Sequence, residues 1–120
     1  METQTLAKAF QHAFNGLFQF VKKDRNGKLH LLACCLVIAG GFFFKISSFE
    51  WMIVLLCFAL VISLEMCNHA LEKLADAVHE AHHPLIKTAK DVAAAAVLWS
   101  AIIAAIIGAL IFLPKIVILL

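Results

Sequence analysis

Apolar residues fall in three long blocks, with the polar residues gathered before and between them. The first block is residues 29–44, in which His30 is the only polar side chain. It is slightly short of the roughly 20 apolar residues that cross a bilayer. Neighbouring residues or local thinning make up such a shortfall. Residues 45–50 read as a short polar turn. The second block, 51–64, is interrupted only by Ser63 and runs without Gly or Pro through Glu65 to about residue 78. That continuity predicts one long helix whose second half leaves the apolar zone. Pro84 marks the next break. The third block, 92–113, carries no charge and is long enough to span unaided. Pro114 and Lys115 are expected to end it, ahead of an apolar tail at 116–120. The pattern predicts an all-α membrane protein of one domain, 1–120, with spans at 29–48, 50–79 (including an extension beyond the membrane) and 86–114.

Residues 4–24 follow another rule. At about 100° per residue, Leu6, Ala9, Phe10, Ala13, Phe14, Leu17, Phe18, Phe20 and Val21 share one half of a helical wheel. Lys8, Gln11, His12, Asn15, Gln19, Lys22 and Lys23 occupy the other half. A Phe-rich face opposite a basic polar face predicts an amphipathic helix lying flat on a membrane surface. No charged start leads into a compact apolar core here, so no cleaved signal is expected.

Composition removes the other broad classes. Of the 120 residues 63% are hydrophobic and only 15% charged, and the mean hydropathy is +0.95. An ordinary soluble domain is about half apolar and a quarter charged. Disorder is excluded by the same numbers. A formal charge of +2 is too small to mark a nucleic-acid partner. Cys34, Cys35, Cys57 and Cys67 all lie within or beside apolar stretches with no C-x-x-C spacing, and read as small hydrophobes rather than as a disulfide or zinc framework. The distribution of charge sets orientation. Lys8, Lys22, Lys23, Arg25, Lys28, Lys73, Lys87 and Lys90 fall on one side of the spans, against Lys45 and Lys115 on the other. The positive-inside rule puts the N-terminus and the 65–91 segment in the cytoplasm. Small residues at 93–96, 101, 104, 105, 108 and 109 predict close helix packing around the third span.

Glu65, Asn68, Glu72 and Asp76 stand at i, i+3, i+7 and i+11, within roughly an 80° arc of one helix face. Glu65 sits at the membrane boundary, where a carboxylate is costly unless partnered. Glu72, Asp76 and Glu80 add like charges at i,i+4 spacing, which disfavour the helix. The residues alone leave two readings open: a wet helix end whose charges face water, or a site for a cation. All-oxygen ligation suits Mg²⁺ better than zinc. Near the start of the third span, Lys90 and Asp91 stand at a helix N-terminus suited to phosphate, although Lys90 also reads as an interface anchor. His82 and His83 read as loop residues. Asp24 would lie level with Glu72 if the first two spans pack side by side. Neither a P-loop nor the protein-kinase signature set is present.

Three blocks then match a family. The stretch Glu65, Asn68, Ala70, Glu72, Asp76 resembles the E-x-x-N-x-A-x-E-x-x-x-D signature of the prokaryotic diacylglycerol kinase family, small three-span lipid kinases that include undecaprenol kinases. The segment 89–98, A-K-D-V-A-A-A-A-V-L, is similar to its A-K-D-x-x-x-A-A-V-L block. The segment 24–30, D-R-N-G-K-L-H, is similar to its E-R-N-x-R-I-H stretch. The match runs from about residue 10 to 115. The G-F-F-F-K-I-S-x-x-E-W segment at 41–51 and the H-P-L at 83–85 look more like the undecaprenol-kinase branch.

The resemblance implies phosphoryl transfer from ATP to a lipid alcohol, either diacylglycerol or undecaprenol, in a bacterial inner membrane. It implies Glu65 as catalytic base, with Asn68 orienting the site and Asp76 supporting it. Asp24 and Glu72 would hold the Mg²⁺ that accompanies ATP. His12, Ala81, His82, His83, Lys90 and Asp91 would contact the nucleotide. Trp51 and Ala94 would flank the lipid beside Glu65, and the surface helix would form part of the lipid entrance. A homotrimer is implied as well, and three short helices alone have little surface with which to enclose ATP, metal and lipid. Three positions depart from the pattern. Asp24 replaces a Glu, shortening the reach by about 1.5 Å. Gly27 stands where a larger apolar residue is common, and Lys28 replaces an Arg. Two other classes compete on composition alone. A small transporter would need polar residues deeper in the first or third span, where only His30 and Ser100 occur. A non-catalytic adaptor would use the basic amphipathic helix on anionic lipid.

Overall fold

A computed structural model describes residues 5–78 and 83–120, and these are almost wholly helical. The order is α1 (Leu6–Lys23), α2 (Arg25–Phe44), α3 (Ser48–Val78) and α4 (Pro84–Leu119). The last three are long and apolar enough to cross a membrane.

Local chemistry sets each boundary. Thr5 caps α1, its hydroxyl accepting from the Lys8 amide at 3.3 Å. Asp24 separates α1 from α2 by serving both. Its N–H donates to the Phe20 carbonyl at 3.0 Å, closing α1, and its Oδ2 accepts from the Gly27 amide at 3.0 Å, opening α2. Asp is among the best residues for that second role because its short carboxylate reaches the N3 amide. At the other end of α2, Lys45 takes the left-handed conformation at φ 52°. The Ile46 amide then bonds the Gly41 carbonyl at 3.1 Å, and the Lys45 amide bonds that of Phe42 at 3.4 Å, a Schellman closure. The first expected span, 29–48, therefore starts earlier and stops earlier in the structure, at Phe44. Ser47 and Glu50 exchange bonds, Glu50 N to Ser47 Oγ at 3.1 Å and Ser47 N to Glu50 Oε1 at 3.0 Å. This capping box launches α3. Pro84 is the first residue of α4, where its missing N–H costs nothing.

The end of α4 differs from the expectation. Pro114 does not stop the helix but lies inside it, and α4 continues to Leu119. A proline ring denies a donor to the carbonyl four residues back. Beside that gap the Lys115 ammonium folds back to the Ile111 carbonyl at 3.1 Å and reaches Glu50 Oε2 at 2.7 Å. The bridge ties the end of α4 to the start of α3.

α3 is the central element, packed chiefly on α4 and then on α2. The best-buried apolar cluster lies near the Lys115 end, with Ile46, Val54 and Ile111 at its centre and Phe44, Trp51 and Phe112 around them. Gly41 makes room there for the Trp51 ring. Some of the small residues of α4 also border a cavity. Ala101, Ala104, Ala105 and Gly108 line a cavity of about 420 Å³ between α2, α3 and α4, together with Cys34, Val37, Val61 and, at its polar end, His30. Ser100 is buried but donates to the Val97 carbonyl at 2.9 Å, so its hydroxyl is satisfied within its own helix. On α1, Leu6, Phe10, Phe14 and Phe18 are exposed, and only Phe20 is buried.

Candidate active site

Glu65 and Asn68 of α3 are buried at the end of the bundle where α1 meets α2, with Glu72 partly buried beside them and Asp76 exposed beyond. Four positions on one face of an unbroken helix rise together because their spacing follows the helical period. Glu65 is the deepest, with only 3% of its side chain exposed. Among the described residues, no lysine or arginine reaches it. Its neighbour is His30 of α2, whose Nε2 stands 3.6 Å from Glu65 Oε2. Asp24 and Glu72 are the two acids electrostatically closest to it. The α1–α2 junction thus brings Asp24, far away in sequence, to the same point as the α3 ladder.

Asn68 is 6% exposed. Its Nδ2 donates to Glu72 Oε1 at 3.4 Å. Its Oδ1 is buried with no hydrogen-bond partner among the described residues. A buried acceptor left open normally costs of order 1–3 kcal/mol. Such an atom, next to carboxylates, is a place for a donor or a cation to arrive. The donor set of Asp24, Glu72 and the Asn68 amide is all oxygen, which fits a Mg²⁺ ion. Among the described residues, no three His, Cys, Asp or Glu side chains form a metal cage by themselves. Mg²⁺ does not require one, since it is usually held by one or two carboxylates plus substrate phosphates.

A second layer lies further along α3. Asp76 Oδ1 accepts from the Lys90 ammonium of α4 at 3.2 Å. Lys87 pairs with Asp91 one helical turn on, at 2.6 Å. Both pairs are largely exposed, so they fix direction more than they stabilise. They put two lysines at the N-terminal end of α4, beside the acids and reachable by a polyanion.

The remaining expected contacts separate. His83 is the cap of α4, its Nδ1 accepting from the Leu85 amide at 3.2 Å. Ala81 and His82 lie outside the described residues. His12 is exposed on α1, and among the described residues no hydrogen bond or ion pair joins it to the acids. Ala94 is exposed on α4. Trp51 is on the same helix as Glu65 but about 21 Å away along the axis at 1.5 Å per residue. Its ring packs over Gly41 in the opposite half of the bundle. It does not share a pocket wall with Glu65. Two residues with no role assigned from the sequence are part of the site. His30 contacts Glu65, and His69 Nδ1 stands 3.6 Å from Asp24 Oδ1. His69 was legible in principle, being four residues from Glu65 and three from Glu72 and so on the same face.

The profile of the family described as Prokaryotic diacylglycerol kinase matches residues 11–112. The chain is 44% identical over 114 residues to a protein of Bacillus subtilis strain 168 named undecaprenol kinase, covering 95% of this chain and 93% of that one. It is 34% identical over 110 residues to a diacylglycerol kinase of Synechocystis sp., covering 91% of this chain and 63% of the relative. To a diacylglycerol kinase of Helicobacter pylori it is 30% identical over 104 residues, covering 79% of this chain and 80% of the relative.

Proposed function

The chain belongs to the prokaryotic diacylglycerol kinase family and is a lipid kinase, and we propose that it transfers the γ-phosphoryl group of ATP to the primary hydroxyl of undecaprenol at the cytoplasmic face of a bacterial inner membrane. The observation that carries the reading is Glu65, a carboxylate 3% exposed at the level where an apolar cavity ends in His30 and an acidic ladder begins. A lipid with its tail among the spans presents its hydroxyl at that level. Undecaprenol is preferred to diacylglycerol because the relative at 44% identity carries that name over nearly its full length.

Glu65 accepts the hydroxyl proton as the lipid oxygen attacks the γ-phosphorus. The bond from that phosphorus to the β,γ-bridging oxygen breaks and ADP leaves. Catalysis in such a transfer is mostly positioning and charge neutralisation. Asp24 and Glu72 would hold the Mg²⁺ that comes with the nucleotide, and the Asn68 amide donates to Glu72 through its Nδ2. When bound, that ion would neutralise charge on the phosphates. Asp76 sets Lys90 against the nucleotide, with Asp91 and Lys87 beside it. His12, Ala81, His82 and His83 are proposed as further nucleotide contacts, and Ala94 and Trp51 as lipid contacts, the latter only for the distant part of a long tail.

The exposed Phe face of α1 is proposed to lie on the cytoplasmic membrane surface, and the excess of basic residues at that end supports the orientation. A homotrimer is proposed, since the helices expose most of their apolar surface and the site opens to one side. The test is label transfer from γ-labelled ATP by protein in lipid nanodiscs, with undecaprenol and diacylglycerol in competition. Label on undecaprenol in clear excess is expected. Label mainly on diacylglycerol would overturn the substrate assignment while leaving the chemistry.

A further inference from the structure

Asp24 and Gly27, two of the three positions where the chain departs from the pattern it resembles, meet in one small assembly. Gly27 leaves space that the Phe20 ring fills, since a Cβ at Gly27 would stand 2.6 Å from Phe20 Cζ. Phe20 is thereby 3% exposed at the end of α1. Its ring meets the His69 ring edge-on, with centroids 6.0 Å apart and planes at 77°. Such a contact fixes the plane of the imidazole. The His69 ring then faces Asp24, with Nδ1 3.6 Å from Oδ1. The other carboxylate oxygen, Oδ2, is held by the Gly27 amide at 3.0 Å.

We propose that His69 is a positioning residue for Asp24, holding the short carboxylate in the orientation in which it serves the metal that accompanies ATP. This rests on the reading of Asp24 as a metal-holding residue. A backbone amide is bonded to one oxygen of the carboxylate, and an imidazole nitrogen stands 3.6 Å from the other. A carboxylate has about four lone-pair sites, and these two contacts leave the rest open toward Glu65 and Glu72. Asp needs these contacts because it is one methylene shorter than Glu and also serves as the cap of α2. Its placement is fixed by the junction, not by side-chain reach. His69 stands at a motif position where any residue is allowed, so it marks this chain rather than the general pattern. Groups that orient a metal-holding side chain commonly govern metal affinity by 10–100-fold.

The test uses the whole chain in lipid nanodiscs and two readouts. One is the Mg²⁺ dependence of lipid phosphorylation, separated into half-saturating Mg²⁺ and kcat. The other is binding of the Mn²⁺ complex of a non-hydrolysable ATP analogue, read by water-proton relaxation. His69→Phe keeps a ring against Phe20 and removes the nitrogen. It is expected to raise half-saturating Mg²⁺ and weaken Mn²⁺–analogue binding, each by about tenfold or more, with kcat at saturating Mg²⁺ within about twofold. His69→Gln restores a polar group and is expected to recover most of the binding. In an Asp24→Glu background the same His69→Phe change is expected to cost under about threefold, because the longer side chain does not depend on that contact. If His69→Phe does not fold, His69→Ala gives the same comparison. Unchanged binding in the His69 variant, while Asp24→Ala weakens it, overturns the positioning role alone. Unchanged binding in Asp24→Ala overturns the metal assignment of Asp24, and the inference with it. An equal loss on both backgrounds shows a merely structural histidine and also overturns the proposal.

Discussion

His30 Nε2 stands 3.6 Å from Glu65 Oε2, and this contact joins the apolar cavity to the acidic ladder. The two come from different helices, α2 and α3, so the Glu65 carboxylate, proposed as the base, meets its neighbour through helix packing. Within the described residues Glu65 has no lysine or arginine partner, which leaves it able to take a proton. His30→Ala is expected to lower kcat/KM by about tenfold, the equivalent of some 1.4 kcal/mol of lost positioning. Thermal stability should change far less than activity. A kinetic comparison of the variant with the parent protein in the same nanodiscs, alongside a melting curve, checks this.

Glu72 receives the Asn68 amide and leaves its other oxygen for a cation. Glu72→Ala is expected to raise the half-saturating Mg²⁺ concentration by about 10–100-fold. Asn68→Ala is expected to act in the same direction and more weakly, since it removes the group that orients Glu72 and not the carboxylate. The check is a Mg²⁺ titration at fixed total ATP and saturating lipid. A titration that superimposes on that of the parent protein would remove Glu72 from the metal role.

The packing at the opposite end makes a separate demand. A Cβ at Gly41 would stand 2.5 Å from Trp51 Cη2 and 3.2 Å from Ile46 Cδ1. The Trp51 ring is also held by Phe42, with centroids 5.1 Å apart. Overpacking of this kind costs about 1–3 kcal/mol, while alanine gains only about 0.5–1 kcal/mol over glycine inside a helix. Gly41→Ala should therefore lower the melting temperature in detergent. It should leave the Mg²⁺ dependence untouched, because Gly41 is on the far half of the bundle from Asp24. A variant with unchanged stability would show that the Trp51 ring moves aside freely.

The three long helices and the acid ladder were legible because they are written in local periods. Apolar block length marks a span, and i, i+3, i+7, i+11 marks a face. The positions of α2 and α4 relative to these blocks were less legible. Asp24 capped α2 four residues ahead of the apolar run, and a lysine in the left-handed conformation ended it, where glycine is the usual signal. Pro114 would normally stop a helix, yet α4 runs through it to Leu119. The site shows the same division. Glu65, Asn68 and Glu72 were placed by one helix. Their partners His30 and Asp24 were brought to them by packing of α1, α2 and α3, which no spacing rule states, whereas His69 shares their helix. Trp51 fell far from Glu65 because a helix of this length carries its two ends into different halves of the bundle.

The most direct measurement is label transfer from γ-labelled ATP to lipid by Glu65→Gln, beside the parent protein, at matched folding and matched binding of the Mn²⁺–analogue complex. Glutamine keeps the size of the side chain and one acceptor oxygen and removes its capacity as a base. The account predicts loss of turnover by at least about 10²–10⁴-fold, the usual worth of a positioned general base, with nucleotide binding retained. Turnover near that of the parent protein would contradict the assignment of Glu65 as the base and with it the central claim about this site.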